Sequence, residues 1–140
     1  MDRRSLTFAA VALWAVGCNS GYKIAPVSGR VTLDGKPLAN AAVQFYPFPP
    51  PGSIEAGPTS VGHTDENGHY ALALADGTAT PGAVVGKHKV FINVIPKVDP
   101  NDTRPRHYVQ LPAKYNRKTT LEKEVPVGGL DSADFELTTK

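Results

Sequence analysis

The chain has 140 residues, a formal net charge of +2 at pH 7 and 20% charged residues. Because the charge is close to neutral and no run of like charges occurs, we expect no nucleic-acid partner held on a basic surface. The thirteen glycines and thirteen prolines lie between alternating apolar runs. That arrangement indicates a folded domain with many turns.

The first segment has the pattern of an export signal. Arg3 and Arg4 form a short basic head, and residues 6–16 are an uncharged, mostly apolar run. A stable membrane-spanning helix needs about 20 residues, which is more than this run provides. The pattern therefore predicts a cleaved signal peptide over residues 1–17.

The only cysteine, Cys18, follows this segment directly. Ala15, Val16 and Gly17 before it resemble the bacterial lipobox, although that motif most often has leucine where Ala15 stands. The resemblance implies that the Cys18 sulfur takes a diacylglyceryl group and anchors the protein to a bacterial membrane, on the periplasmic or cell-surface side. A plain secretory signal with an incidental cysteine is the alternative. With one cysteine, an exported domain has no internal disulfide.

A tether over residues 18–26 and a domain over residues 27–138 are expected after the cleavage site. Alternation of apolar and polar residues predicts short strands, separated by turn signals such as Asp34-Gly35. No window of a dozen residues shows helical periodicity, so the predicted fold is an all-β sandwich of about seven strands. The residues expected to face its core are Val27, Gly29, Val31, Leu33, Val43, Phe45, Tyr70, Leu72, Leu74, Val90, Ile92, Val94, Ala133, Phe135 and Leu137.

One predicted hairpin carries a candidate set of metal ligands. Residues 65–68 suit a type I turn with Gly68 in the left-handed region, which places Asp65 opposite His69. In that register His63, Asp65 and His69 share a face, and two imidazoles with a carboxylate are plausible zinc or copper ligands. The alternative is that all three are exposed polar residues on the side away from the core. We expect no metal and no other cofactor.

Two predicted loops are unusually long. They cover residues 47–59, with a run of prolines, and residues 96–112, with a basic group of Arg104, Arg106 and His107. Loops of this length are usually functional or mobile, and we hypothesise that ligand or partner contact uses them. A stiff proline spacer and a solvated basic loop are the alternatives. Because aromatic rings supply large contact area, the candidate contact residues are Phe48 and Tyr108, with Tyr46 and Tyr115 near the loop ends.

Several of these segments together resemble a known family. Residues 26–45, 64–70, 86–92, 111–116 and 134–137 are similar to carboxypeptidase-regulatory-like domains, which are transthyretin-like β-sandwiches common in bacterial surface lipoproteins. The resemblance covers roughly residues 26 to 138, and its motifs are mainly turns. It implies a non-catalytic module associated with surface attachment or polysaccharide handling.

The sequence favours binding over catalysis. Transthyretin-like folds include a purine-degradation hydrolase whose family ends in Tyr-Arg-Gly-Ser, whereas this chain ends Glu136-Leu-Thr-Thr-Lys140. No nucleophile-elbow or zinc-protease motif is present. We therefore expect a lipid-anchored envelope module that binds carbohydrate or an envelope protein. A structural partner in an envelope complex and an unrecognised transthyretin-like hydrolase are the alternatives.

Overall fold

The computed structural model describes residues 21–96, 99–104 and 109–140. The expectations for Cys18, Arg106, His107 and Tyr108 lie outside these residues. Within them the chain forms short strands and one 3₁₀ turn, η1 (Ala113–Tyr115). The strands are β1 (Ile24–Ala25), β2 (Ser28–Leu33), β3 (Lys36–Pro37), β4 (Ala41–Pro47), β5 (Ser60–His63), β6 (His69–Ala71), β7 (Ala73–Leu74), β8 (Ala83–Val84), β9 (Gly86–Val94), β10 (Glu122–Val125) and β11 (Phe135–Leu137).

The strands form two facing sheets and a small accessory pair. One sheet has five antiparallel strands in the order β10-β9-β4-β5-β7. The other has the order β11-β2-β3, with β6 also paired to β2. Its β11–β2 pairing is parallel, so the last strand lies beside one of the first. β1 and β8 make the accessory pair. The predicted all-β sandwich is confirmed.

Alternating residues of both sheets point into one core. Val43 and Phe45 on β4, and Val90 and Ile92 on β9, are fully buried. The ring of Phe45 meets the ring of Phe135 on β11 edge to face, with their centroids 6.2 Å apart. Aromatic pairs favour this geometry, and here it joins the two sheets.

The segment around Leu72 departs from the expectation of one continuous strand. Tyr70, Leu72 and Leu74 are all buried, as predicted. However, β6 pairs with β2 whereas β7 pairs with β5, so the chain changes sheet at Leu72. A period-two pattern predicts which side chains are buried, but it does not predict which neighbouring strand the backbone bonds.

Residues just before the expected domain start at residue 27 already belong to the fold. Ile24 and Ala25 form β1 and pair with β8, and Ala25 belongs to the core. The N–H of Val85 also donates to the carbonyl of Lys23 at 2.8 Å. The folded domain therefore begins before residue 27. Among the described residues, no helix has the length and apolar character needed to cross a membrane.

Both predicted turns are present. Asp34 and Gly35 have positive φ angles of 51° and 81° between the paired residues Leu33 and Lys36, which is the pattern of a two-residue hairpin loop. Gly68 has a φ of 78°, and its N–H donates to the carbonyl of Asp65 at 3.0 Å. These turns set the register of the strands that they join.

Gly29 permits the closest approach in the sandwich. A Cβ at this position would lie 2.1 Å from the carbonyl oxygen of Ala133. The same oxygen accepts a hydrogen bond from the buried hydroxyl of Tyr70, whose residue pairs with Gly29 across β6 and β2. Burial of the phenol and the charge of Asp134 raise the pKa of Tyr70, so the hydroxyl stays a donor. Three separate chain segments therefore meet at one carbonyl.

We predict that Gly29→Ala destabilises the protein by at least about 2 kcal/mol, because the added methyl group collides with a fixed backbone carbonyl. Gly128→Ala is the matched control, since a Cβ there meets no atom within 4 Å. It should change stability by less than about 0.5 kcal/mol. Urea denaturation measures both. Equal costs for the two variants would show that the approach at Gly29 is not as close as described.

Candidate functional site

The two long loops leave opposite ends of the sandwich. β4 runs antiparallel to β9, with Pro47 opposite His88 and Ala41 opposite Val94. Residue 48 therefore lies beside the start of β9, whereas residue 96 follows its end. At about 3.3 Å per residue, the two ends are roughly 25 Å apart. Val109 and Leu111 line a cavity with Asn93 and Val94 at the second end. Among the described residues, the two loops therefore do not meet in a single site.

An aromatic pair of one exposed and one half-buried ring lies on the outer side of the five-stranded sheet. Tyr46 is 42% exposed, and its ring meets the ring of Phe91 at a centroid distance of 4.9 Å. Register places these residues on the same side as their cross-strand neighbours, because paired residues of antiparallel strands share a face. We call this surface the aromatic face, and its residues are Gln44, Tyr46, Lys89, Phe91 and Asn93.

Polar groups surround the two rings. The Tyr46 hydroxyl lies 3.5 Å from Oε1 of Gln44, and Nζ of Lys89 lies 5.8 Å from the centroid of Phe91. Asn93 is exposed on the neighbouring position of β9. The aromatic face thus combines apolar ring surface with hydrogen-bond donors and acceptors, on strands held rigidly at the centre of a sheet.

A groove of about 600 Å³ lies at the end of the sandwich where β4 finishes. We call it the proline groove; residues 21–23, 48–51 and 84–87 line it together with Ala56. Phe48 is 41% exposed here, and its N–H donates to the carbonyl of Lys87 at 2.9 Å. The lining is mostly apolar, with Lys23 and Lys87 as its charged residues. Of the predicted contact residues, Phe48 belongs to this groove and Tyr46 to the aromatic face.

Tyr115 has a structural position. It is only 7% exposed, and its hydroxyl accepts the backbone N–H of Thr138 at 2.9 Å. This contact ties η1 to the residues after β11. Tyr115 therefore packs in the core and does not offer its ring to a ligand.

The residues of the candidate metal set do not share one face. His63 pairs with Ala42 in the five-stranded sheet, whereas His69 pairs with Arg30 in the other sheet. Oδ1 of Asp65 accepts the backbone N–H groups of Asn67 and His69, at 2.9 and 3.0 Å, and so serves the turn. In the described part of the chain, no group of three or more His, Cys, Asp or Glu side chains is arranged to hold a metal ion.

In the basic loop, the Arg104 side chain forms hydrogen bonds within the loop itself. Nε and Nη2 of Arg104 donate to the two carboxylate oxygens of Asp102, at 2.9 and 3.0 Å. These hydrogen bonds lower the pKa of Asp102. For Arg104, this pairing agrees with the solvated-loop interpretation and not with an anion site.

A buried histidine lies below the wall of the proline groove. The His88 ring is fully buried against Phe45, and its Nε2 lies 2.6 Å from the carbonyl of Val84, a groove residue. Because a carbonyl only accepts, Nε2 carries the proton. Among the described atoms, Nδ1 of His88 has no hydrogen-bond partner. Burial consequently lowers the pKa of His88, since charging the ring would bury a second, unpaired N–H.

Sequence patterns missed several of these residues. Tyr22, Phe91 and His88 are not among the predicted contact residues, because contacts between distant segments of the chain determine where they lie. One signal for Phe91 is present in the sequence: it occupies an outward-facing position of β9 between the polar residues Lys89 and Asn93. Comparison of the chain with family models, with curated proteins and with solved structures finds no match.

We predict that His88 makes the protein less stable in acid. Stability should be nearly constant above the ordinary histidine pKa of 6.5 and should fall below it, because the unfolded chain then binds a proton that folded His88 resists. The decline should continue, at up to about 1.4 kcal/mol per pH unit, down to the lowered pKa of the folded state.

Denaturation curves at a series of pH values test this dependence. His88→Gln removes the titration and should flatten the decline, whatever its effect on stability at pH 8. His63→Gln is the control, since His63 is exposed and should leave the slope in place. An unchanged slope in His88→Gln would contradict the assignment.

Proposed function

We propose that this chain is a non-enzymatic, lipid-anchored module of the bacterial cell envelope that binds carbohydrate on its aromatic face. The observation that carries the proposal is the contact between exposed Tyr46 and half-buried Phe91, set among Gln44, Lys89 and Asn93 on β4 and β9. Aromatic rings offer flat apolar area for the hydrogen-bearing faces of sugar rings, and nearby polar side chains bond the hydroxyl groups. Central strands provide this surface with a rigid support.

Two further features support a binding role. The lipobox-like residues 15–18 suggest attachment to a membrane, and the segments similar to carboxypeptidase-regulatory-like domains suggest a surface module. The titratable residues lining the proline groove are Tyr22, Lys23 and Lys87, without a histidine or carboxylate among them. That composition supports binding more than acid–base catalysis.

An assembly partner in an envelope complex is the second class of function to be tested. Free sheet edges favour such roles. The edge strand β10 reads Glu-Lys-Glu-Val and precedes Pro126, and charged residues with proline oppose edge-to-edge pairing. The aromatic face therefore supports carbohydrate binding better than β10 supports strand addition.

We predict that Tyr46→Ala weakens binding to envelope polysaccharides by about tenfold or more, since it removes the most exposed ring of the pair. A glycan array identifies the bound polymer, and affinity electrophoresis measures the change. The melting temperature should shift by less than about 4 °C, because the ring lies outside the core.

Phe48→Ala is the matched control, because Phe48 is equally exposed but lies in the proline groove. It should leave polysaccharide binding unchanged. Loss of binding in Phe48→Ala alone would move the ligand site to the groove. Binding that survives Tyr46→Ala unchanged contradicts the aromatic face as the site, and enrichment of one envelope protein without any glycan favours the assembly partner.

We predict separately that the mature protein begins at Cys18 and carries acyl chains. Several chains on one residue give stable membrane anchoring, whereas one chain gives only marginal binding. Mass spectrometry of the N-terminus should therefore show the acyl mass, and Cys18→Ser should prevent membrane partitioning of the processed chain. An unmodified thiol at Cys18 in the native host contradicts the anchor.

A further inference from the structure

The proline groove lies at the end of the domain from which the chain runs back to Cys18. Residues 21–23 form part of its lining, and Gly21 is three residues after Cys18. Three residues span at most about 11 Å. The headgroup layer of a bilayer is about 5–8 Å deep on each side. If Cys18 carries lipid, this end of the sandwich is therefore held within reach of the bilayer surface.

The fold fixes the direction of that tether. β1 pairs with β8, and Val85 donates to the carbonyl of Lys23 at 2.8 Å. The ring of Tyr22 packs against Gly57 in the loop of residues 47–59. A Cβ added to Gly57 would lie only 2.9 Å from this ring. The N-terminal segment thus cannot swing to another end of the sandwich without breaking these contacts.

The residues beside the tether are apolar and exposed. Ile54 is 98% exposed, and Phe48 is 41% exposed, on either side of a stretch of three prolines and Gly52. An isolated surface isoleucine is ordinary. Here, however, the isoleucine and the phenylalanine belong to one loop, and residues of that loop also line the apolar groove.

Charged residues of both signs lie at this end. Lys23 and Lys87 line the groove, with Lys87 also 3.1 Å from a carboxylate oxygen of Glu122. Glu55 follows Ile54 and opposes attraction to anionic lipid. The surface therefore suits the apolar–polar boundary of a bilayer more than a strongly anionic headgroup layer.

We infer that the proline groove and the exposed loop residues Phe48 and Ile54 dock on the bilayer surface that holds the Cys18 lipid. This inference rests on the lipid anchor of the proposed function. The contact area is small, but the anchor gives the loop a high effective concentration at the membrane, so a weak contact is populated. When this end docks, β4 and β9 run along the membrane normal. The aromatic face then points parallel to the membrane plane and stays open to envelope polymers.

Single-tryptophan variants of the processed protein test the inference. The only tryptophan of the chain, Trp14, lies in the segment expected to be removed, so Phe48→Trp and Ile54→Trp each report one position. The acylated variants are reconstituted into phosphatidylethanolamine–phosphatidylglycerol vesicles with or without brominated acyl chains. Brominated lipid should quench both tryptophans by at least about twofold, with a blue-shifted emission.

Ile95→Trp is the matched control, because Ile95 is 47% exposed and follows the other end of β9. It lies roughly 25 Å from the groove and should stay unquenched. Acylated protein with unquenched tryptophan at positions 48 and 54, or with equal quenching at position 95, overturns the docking while the anchor stands. An N-terminus without acyl mass overturns the anchor and the docking together.

Discussion

The approach of the Ala133 carbonyl to Gly29 is the constraint on which the sandwich depends. The oxygen lies close to the position that a Cβ of residue 29 would occupy, and the buried hydroxyl of Tyr70 donates a hydrogen bond to it. Ala133 also donates its N–H to the carbonyl of Ser28 at 3.0 Å. Because these bonds bring the final segment against β2, β11 can pair beside β2 and place Phe135 over Phe45.

The central pairing of β4 with β9 gives the domain its two distinct surfaces. One side of this pair supplies the core, so its outer side can carry rings without weakening the fold. The antiparallel direction separates the loops that follow the two strands, and the proline groove consequently lies at one end with the N-terminal segment. The proposed polymer-binding face and the proposed membrane-docking end are compatible on such a domain, because they occupy a side and an end of the same sheet.

His88 connects the core to the groove. Its neutral ring donates to Val84, whose strand β8 pairs with β1 beside the start of the described chain. A charged ring would leave a buried N–H unpaired, so the groove wall depends on a histidine whose pKa is lowered by burial. Buried His88 therefore lowers the stability of the folded protein in acid, and the groove lining offers it no catalytic partner.

The sequence by itself determined the fold class, the positions of the turns and nearly all of the buried face. Val31, Phe45, Tyr70, Ile92 and Leu137 alternate with residues that face away from the core, and this periodicity is local. The tertiary structure decided which strands are neighbours. It divided residues 69–74 between two sheets and so separated His63 from His69. It also placed the two long loops at opposite ends of the sandwich. Phe91 and Tyr46 likewise became one surface only through the register of β4 with β9. Such pairings depend on close approaches between distant segments, as at Gly29 and Ala133, and no local pattern of residue types contains that information.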